Sequence, residues 1–485
     1  MAFLIGGANT LRDTGYNITN SLRFGVDTDL KRLPSATGQS IKGTLSVWVK
    51  FATADTEMAI IGGFDNSGAN DNDGYFVFKR LADGNLQFEG GDNVYLETTA
   101  LFRDVSAWYH IVLAIDSGNA TANNKQRIYV NGVEITAFDT RNNLTNLQDL
   151  PMNTTAGNDD ALLIGCDEDT GGKGLFFNGY MSEFYWIDQN QYAASDFGEY
   201  TDDGIWIPKE FEGSFGVNGV FLQFKETGTG ADASGMGADT GGSNLHFTAT
   251  NLAATDVTTD TPTNNFATMN PLDVGSDLRD NGSFAEGNLE VINGATSGQA
   301  DQQRVRGTIA VTKGKWYFEM KQIANSASIG VLATEAAHGG TSANSMLVEY
   351  NDGGEIRFFN GSGRTTKTTG IDGFDDDDIV GCALDMDNRR AYFHKNGTYQ
   401  GDPTPDPAGS PSGAGQFGGI QTGFTMAPCM FDNSSGSAGK GSFNFGNAPF
   451  AISSGNADAN GYGNFEFAVP SGYFALCTKN LAEYG

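Results

Sequence analysis

The side chains with the greatest potential for chemistry lie in a polar stretch between residues 65 and 74, which reads Asp-Asn-Ser-Gly-Ala-Asn-Asp-Asn-Asp-Gly. Hard divalent cations such as calcium are held by about six to eight oxygen atoms, mostly from carboxylates and carbonyls. Asp65, Asp71 and Asp73 are therefore our candidate calcium ligands. The spacing differs from that of an EF-hand loop, and segments rich in Asn and Asp also form ordinary turns. Both interpretations stay open from the sequence.

The four histidines do not match a nucleophilic catalytic site. A serine nucleophile is often presented by a Gly-x-Ser-x-Gly turn, and the chain contains none. His110 falls opposite the apolar face of its predicted strand, and His394 lies two residues before Asn396-Gly397, in the basic position that precedes the hairpin turn. His246 and His338 lie in segments rich in Gly and Thr. We interpret all four as packed or solvated side chains and predict no catalytic residue.

Two similar phrases, at residues 110–135 and 378–399, organise the chain. In each, an apolar strand ends in an acidic turn, and the next strand ends in Asn-Gly, at Asn131-Gly132 and at Asn396-Gly397. Asn-Gly favours a type I′ hairpin because both residues tolerate a positive φ. The duplication predicts an all-β fold with two antiparallel β-sandwiches.

The predicted boundaries follow from the strand pattern and from one change in composition. Short alternating segments, such as residues 44–51, recur through residues 1–228 and again through residues 285–485. Between them, residues 229–284 are dominated by Gly, Thr, Asp and Ala, with few large apolar residues before Phe266. This composition predicts a long extended linker.

Charge and cysteine content exclude several classes of partner. Lys and Arg number 29 against 59 Asp and Glu, so the formal net charge is −30. Such a surface repels phosphate, and we expect no nucleic acid partner. No segment approaches the roughly 20 apolar residues of a membrane span, and the N-terminus lacks the pattern of a signal peptide. The four cysteines have no metal-ligand spacing and predict buried thiols.

The two sandwiches resemble two known folds. Residues 45–50, 108–112, 129–133 and 179–184 resemble the concanavalin-like, laminin-G-like jelly rolls. Residues 314–319, 329–331, 378–385, 393–397 and 444–446 resemble the SPRY sandwich. The tandem, with residues 21–24 near its start and residues 266–272 between its halves, resembles virion structural proteins of tailed bacteriophages, which are often tail fibres.

The jelly-roll resemblance implies two kinds of site, and the sequence supports only one of them. Laminin-G-like domains often bind calcium through loop oxygens, which favours the stretch of residues 65–74. The similar glucanases carry Glu-x-Asp-x-Glu on one strand, where a period of two aims the carboxylates to one face. This chain has no such triplet, and residues 166–169 read as a turn. We therefore predict a protein that is not an enzyme.

A glycan-binding surface needs exposed aromatic rings on loops, beside groups that form hydrogen bonds. Tyr95, Tyr192, Tyr462 and Phe465 are the candidates for this role. The competing interpretation is that these rings pack in the cores, as most aromatic side chains of a sandwich do.

These inferences together predict a non-enzymatic structural or adhesion component of a bacteriophage particle, such as a tail fibre, a spike or a capsid-decorating protein. We expect it in the virion, made in the host cytoplasm, with no cofactor except calcium. Its expected partners are further copies of itself, other virion proteins and host surface polysaccharide. The alternative is a secreted or surface carbohydrate-binding lectin of a bacterium.

Overall fold

The computed structural model describes residues 15–33, 41–64, 75–91, 93–150, 161–169, 172–294, 304–338, 346–359, 364–368, 370–401, 406–409, 417–418, 420–431 and 438–485. The chain divides into a first unit, residues 13–263, and a second unit, to which residues 264–485 belong. Within the described residues, no helix is long and apolar enough to cross a membrane.

The first unit is built from short strands. They are β1 (Ser21–Phe24), β2 (Asp29–Arg32), β3 (Lys42–Phe51), β4 (Met58–Phe64), β5 (Tyr75–Arg80), β6 (Leu86–Gly90), β7 (Asn93–Thr98), β8 (Tyr109–Asp116), β9 (Gln126–Val130), β10 (Val133–Glu134), β11 (Phe138–Arg141), β12 (Ala161–Ile164), β13 (Asp167–Asp169), β14 (Gly172–Gly174), β15 (Gly179–Asp188), β16 (Gly198–Tyr200), β17 (Trp206–Pro208), β18 (Val220–Leu222), β19 (Thr248–Thr250) and β20 (Val257–Thr258). Single 3₁₀ turns occur at Ala122–Asn124, Ala194–Asp196 and Ala254–Asp256.

Two antiparallel sheets form the sandwich of the first unit. One has the order β10-β9-β8-β3-β15-β1-β20, with β18 beside β15, and the other has the order β11-β7-β6-β5-β4-β12-β2-β19. In β3, Leu45, Val47 and Val49 point into the core between the sheets, and Trp48 points to the opposite face. This alternation follows the period of two of a β-strand. The outer face of the first sheet is also covered, because an aromatic cluster around Tyr185 and Phe197 packs there.

The described residues of the second unit form further strands and two short helices. The strands are β21 (Met269–Val274), β22 (Ser283–Ala285), β23 (Glu290–Ile292), β24 (Arg304–Gly307), β25 (Lys315–Ala324), β26 (Ser328–Ala333), β27 (Leu347–Asn351), β28 (Glu355–Phe359), β29 (Arg364–Thr368), β30 (Ile379–Asp385), β31 (Arg390–Lys395), β32 (Thr398–Tyr399), β33 (Phe417–Gly418), β34 (Met426–Phe431), β35 (Lys440–Asn444) and β36 (Phe474–Ala475). The helices are α1 (Ser276–Asn281) and α2 (Thr478–Tyr484), and a 3₁₀ turn occurs at Glu286–Asn288.

Two sheets enclose the core of the second unit as well. Their orders are β21-β24-β34-β26-β27-β28-β29 and β22-β23-β35-β25-β30-β31-β32, with β33 beside β31 and β36 beside β25. Between the strands that the structure describes in these two sheets, the pairing is antiparallel except for β36, which runs parallel to β25. Trp316, Phe318 and Met320 of β25 alternate into the core. The prediction of an all-β chain with two antiparallel sandwiches is confirmed.

The structure corrects the predicted linker of residues 229–284. Residues 229–263 belong to the first unit, where β19 pairs with β2 and β20 pairs with β1. Lys50 forms an ion pair of 2.8 Å with Asp260, and both side chains are buried. The rest of the segment belongs to the second unit, where β21 pairs with β24. Composition did not reveal these strands because the apolar residues of the segment, such as Phe247 and Met269, are widely spaced among small polar ones, although both are buried in the cores.

Candidate functional site

The predicted calcium ligands cannot be placed. Asp65, Asp71 and Asp73 lie outside the residues that the structure describes. In the described part of the chain, no group of three or more His, Cys, Asp or Glu side chains is arranged to hold a metal ion. Calcium binding at residues 65–74 therefore stays a prediction. The four cysteines, for their part, are buried free thiols.

The aromatic candidates for glycan binding belong to packed clusters. Tyr95 is 5% exposed and Phe465 is fully buried. Their ring centroids lie 5.5 Å from Phe88 and 5.1 Å from Tyr317, respectively. Tyr192 and Tyr462 are half-buried, and each packs against a buried aromatic cluster. The core interpretation therefore holds for Tyr95 and Phe465, and neither ring can stack on a ligand.

His110 is a buried neutral side chain of the first sheet. Trp206 Nε1 donates a hydrogen bond to His110 Nδ1 at 3.1 Å, so the proton of the neutral ring lies on Nε2 and is donated to Ser46 Oγ at 2.8 Å. Burial lowers the pKa of His110 to about 3. Since both ring nitrogens are occupied by protein groups, His110 braces the sheet and cannot take a proton from a substrate.

His394 belongs to a hydrogen-bonded chain in the second unit that has the composition of an active site. The backbone N–H of Gly397 donates to His394 Nδ1 at 3.2 Å, and His394 Nε2 contacts the Tyr317 hydroxyl at 2.7 Å. Tyr317 donates to Glu319 Oε1 at 2.8 Å. His394, Tyr317 and Glu319 are all at most 1% exposed. Burial lowers the pKa of His394 to about 3 and raises the pKa of Glu319. The chain is sealed from solvent, so its role is to hold strands together.

Glu183 has the electrostatic signature of a general acid. It adopts a φ of +48° within a bulge of β15, and the hydroxyls of Tyr16 and Tyr185 donate to its Oε2 at 2.9 and 2.8 Å. Burial raises the pKa of Glu183 to about 7. The side chain is only 5% exposed, however, and its partners are two phenols rather than a second carboxylate. A glycosidase needs two carboxylates on either side of the bond that is cleaved, and Glu183 does not meet this requirement.

A cleft in the second unit is open to a ligand. Its volume is about 450 Å³, and it is formed by the end of β25, the turn into β26, the turn after β27 and the segment that precedes β30. The lining side chains are Gln322, Asn325, Ser326, Asp352, Phe374, Asp375 and Asp376. A volume of this size is typical of sites for small molecules.

Hydrogen bonds between the segments give the cleft a defined shape. Ser326 Oγ donates to Asp352 Oδ2 at 2.7 Å, and the backbone N–H of Phe374 donates to the Asp352 carbonyl at 3.0 Å. Asn325 adopts a φ of +55° and donates from Nδ2 to the Ala438 carbonyl at 2.8 Å. Phe374 is 2% exposed, and its ring centroid lies 4.9 Å from that of Tyr350. The walls are thus polar and braced, above a packed aromatic base.

The lining is rich in hydrogen-bond acceptors. It contains the carboxylates of Asp352, Asp375 and Asp376, together with the amide oxygens of two further side chains. Among the residues that the structure describes, Lys321 pairs with Asp377 at 2.8 Å and Lys395 pairs with Asp378 at 3.0 Å, and neither lysine lines the cleft. Such a surface complements a ligand that carries many donors, such as hydroxyl or ammonium groups, and repels an anion.

Sequence reasoning missed most of this cleft. Asp375 and Asp376 belong to an acidic run of residues 375–378 that reads as a solvated loop, while Gln322 and Asp352 stand more than 20 positions away from it in the sequence. The acidic run directly before an apolar strand was the one available signal. Nothing in the sequence indicates that three separate turns meet there.

Comparison with known proteins supports the fold of the first unit. Residues 25–191 match the family model Laminin_G_3, which describes the concanavalin A-like lectin/glucanases superfamily. The resemblance to concanavalin-like and laminin-G-like jelly rolls is therefore confirmed for these residues. No sequence of a curated protein matches the chain.

Several solved structures are similar to parts of the chain. The SPRY domain of human HERC1 has 16% identity and a TM-score of 0.25, over 36% of this chain and 96% of that domain. A candidate carbohydrate-binding protein from Bacteroides ovatus has 16% identity and a TM-score of 0.35, over 49% of this chain and 60% of that protein. A heptameric SAP-like pentraxin from Limulus polyphemus has 14% identity and a TM-score of 0.26, over 36% of this chain and 77% of the pentraxin chain.

Proposed function

We propose that the protein is a non-enzymatic carbohydrate-binding adhesion protein, and the acceptor-rich cleft of the second unit is the observation that carries this proposal. A sugar presents several hydroxyl donors at fixed spacing, and the carboxylates and amides of the cleft are planar acceptors that match such a ligand. The cleft holds these groups in place through the bonds of Ser326 and Phe374 to Asp352. Preorganised polar groups reduce the entropy cost of binding.

The groups that resemble catalytic residues support binding rather than hydrolysis. His110 and His394 are neutral and buried, with both ring nitrogens occupied. Glu183 and Glu319 are buried beneath tyrosine side chains that donate to them. None of these four side chains is more than 5% exposed. A substrate cannot contact them without unfolding of the surrounding sheet.

The charge of the cleft favours neutral or amino sugars. Three carboxylates line it, and the whole chain carries a net charge of −30. Uronic acids and sialic acids would meet repulsion from both, whereas hydroxyl and ammonium groups find acceptors. We therefore expect the protein to bind neutral and amino sugars more tightly than uronic or sialic acids.

The test is binding of the full chain to an array of neutral, amino-sugar and uronic-acid oligosaccharides. We expect binding to neutral or amino sugars and a loss of about tenfold or more in affinity for Asp376→Asn, since hydrogen bonds to charged groups are the stronger ones. The matched control is Asp377→Asn, because that side chain is 85% exposed and lies outside the cleft. Equal affinities of the two variants, or an array without binding, would contradict the proposal.

A second assay addresses the absence of catalysis. The protein is incubated with each polysaccharide that it binds, and reducing ends are measured. We expect no release above that of a boiled sample. Release that disappears on mutation of a single Asp or Glu would show that the protein is a hydrolase.

We propose the surface of a bacteriophage particle as the setting, as a tail fibre, a spike or a capsid-decorating protein that contacts host surface polysaccharide. The resemblance of the tandem arrangement to phage virion proteins supports this setting, and the acidic surface supports solubility of copies that await assembly. In the virion we expect repeated copies, with a mass by light scattering that is a multiple of 51.4 kDa. A monomer that is absent from purified particles by mass spectrometry would favour the bacterial lectin instead.

A further inference from the structure

Tyr200 is an unusual surface residue of the first unit. It closes β16, the first strand of a hairpin with β17, and half of its side chain is exposed to solvent. Sequence reasoning did not single it out, and it lies beyond the residues 25–191 that match the lectin superfamily. Its exposure is notable because its ring is not mobile but is fixed by several contacts.

A series of contacting aromatic rings leads from the buried sheet to Tyr200. The ring centroids of Trp48 and His110 lie 4.9 Å apart, and those of His110 and Trp206 lie 5.8 Å apart with an angle of 22° between their planes. The ring of Tyr200 follows in an edge-to-face contact, with its centroid 4.9 Å from that of Trp206 and an angle of 66° between the planes. Tyr200 is therefore the exposed end of a column of contacting aromatic rings.

Backbone contacts fix the upper part of this column. The hydroxyl of Tyr200 donates to the carbonyl of Asn131 at 2.8 Å, which ties the ring to the Asn-Gly turn between β9 and β10. Gly132 and Gly198 flank Trp206 so closely that a Cβ at either position would overlap its ring. The indole thus fits a slot between two glycines, and Tyr200 rests on an immobile support.

A fixed and exposed tyrosine is suited to binding. Tyrosine offers a large amphipathic contact surface, and its side chain loses little conformational entropy on binding because it has few rotatable bonds. Here that entropy is already lost in the free protein, through the hydrogen bond to Asn131 and the contact with Trp206. Half of the Tyr200 side chain stays in contact with water, and covering its apolar surface with a ligand removes that surface from water, which favours binding.

The hairpin that carries Tyr200 also carries exposed carboxylates. Glu199, Asp202 and Asp203 are exposed and belong to the same hairpin as Tyr200. A pyranose has an apolar face of C–H groups that an aromatic ring can cover, and a rim of hydroxyl donors that carboxylates on the same hairpin can accept. The acidic rim disfavours an anionic sugar.

We propose that Tyr200 is the aromatic platform of a second carbohydrate subsite, located on the first sandwich, which stacks on the apolar face of a neutral pyranose ring. The inference rests on the proposed carbohydrate-binding function but requires a different residue, sandwich and contact from the cleft of the second unit. Two subsites on one chain raise the affinity for a long polysaccharide, since binding of the second becomes intramolecular.

The test measures binding of the full chain to glucose, mannose and N-acetylglucosamine hexasaccharides by calorimetry. For Tyr200→Ala and Tyr200→Leu we expect affinity to fall by about tenfold, because an aromatic contact is lost. Tyr200→Phe keeps the ring and its contact with Trp206 but loses the hydrogen bond to Asn131, so its affinity should fall less than that of Tyr200→Ala. The control is Val217→Ala, which alters another side chain of the first unit with 50% exposure.

The outcomes separate this inference from the proposed function. If Tyr200→Ala and Tyr200→Leu bind like the wild type while Asp376→Asn binds more weakly, the platform is refuted and the cleft stands. If Asp376→Asn binds normally and the Tyr200 variants are weakened, the platform stands and the cleft is refuted. If no hexasaccharide binds, or if the Tyr200 variants change only the oligomeric mass, the platform is refuted.

Discussion

Asn131 and Asn396 occupy equivalent positions in the two sandwiches. The Oδ1 atom of each accepts a hydrogen bond from the neighbouring strand, from the N–H of His110 at 2.8 Å and from the N–H of Ile379 at 2.9 Å. Their φ angles are +48° and +47°, and the glycines that follow both have a φ of +82°. These are the angles of a type I′ turn. One local device therefore closes a hairpin in each of two different sandwiches.

The glycines of these turns should resist substitution. Gly132→Ala and Gly397→Ala should each lower the free energy of unfolding by about 1–3 kcal/mol, because a residue with a Cβ is strained at this φ. The new Cβ would also meet the ring of Trp206 or that of Phe467. Chemical denaturation measures the effect.

Two other glycines allow the effect of backbone strain to be measured without steric overlap. Gly204 and Gly461 have φ angles of +79° and +80°, but a Cβ there would meet nothing within 4 Å. Their alanine variants should lose only about 1 kcal/mol, from backbone strain alone. Equal losses at all four positions would show that the overlap with aromatic rings is irrelevant.

Removing one partner of the buried ion pair between Lys50 and Asp260 should strongly destabilise the fold. Lys50→Met should lower the free energy of unfolding by about 3–5 kcal/mol, because it leaves the buried Asp260 carboxylate without its counter-ion. The comparison is Lys321→Met, whose partner Asp377 is 85% exposed, and which should cost less than about 1 kcal/mol. Similar losses of stability in the two variants would contradict the burial of Asp260 against Lys50 in the first unit.

Stability should fall in acid because of two buried histidines. The pKa values of His110 and His394 are about 3 in the folded protein, against 6.5 for an ordinary histidine. Between these values the unfolded chain binds more protons, so each histidine lowers the free energy of unfolding by about 1.4 kcal/mol per pH unit as the pH falls from 6.5 towards 3. Glu183, with its pKa raised to about 7, acts in the opposite direction between pH 4.5 and 7.

Denaturation between pH 4 and pH 8 tests these contributions. The variants His110→Gln and His394→Gln should each show a shallower loss of stability on acidification than the wild type. Glu183→Gln should instead show a steeper loss, since it removes the opposing contribution. Parallel pH profiles for all four proteins would rule out buried neutral histidines.

The boundary between the two units should lie near residue 263 rather than near residue 228. A fragment of residues 1–263 retains β19, β20 and the ion pairs of Asp256 and Asp260. A fragment of residues 1–228 loses them and leaves the buried Lys50 and Arg23 without these partners. We therefore expect cooperative unfolding for the longer fragment and a clearly lower melting temperature for the shorter one. Equal melting temperatures would restore the linker interpretation.

Local patterns were sufficient for much of the architecture. Alternation in residues 44–51 predicted which side chains of β3 enter the core, because a strand exposes successive residues to opposite faces whatever its neighbours are. The Asn-Gly pairs predicted their turns because the φ preference belongs to the two residues themselves. These features depend on adjacent residues, and the sequence states them directly.

Which residues form a site depends on contacts between segments that are distant in the chain, and the sequence does not show these contacts. Tyr95 and Phe465 were predicted as candidates for ligand contact and are buried, whereas Tyr200, which the sequence did not single out, is half exposed. The exposure of a side chain depends on which residues cover it in the fold. Phe465, for example, is covered by Tyr317, which is distant in the sequence. The same holds for the cleft, whose lining combines residues near 322, 352 and 375.

The sequence by itself determined the all-β class, the duplicated hairpins, the acidic surface and the absence of a glucanase triplet, since each follows from residue type and short-range spacing. Only the tertiary structure decided that residues 229–263 complete the first sandwich, that Glu183 and Glu319 are sealed by tyrosines, and that three turns enclose a cleft. The physical reason is that burial and buried ion pairs arise between residues as far apart as Lys50 and Asp260, whose attraction is strong only after the fold has removed water from both.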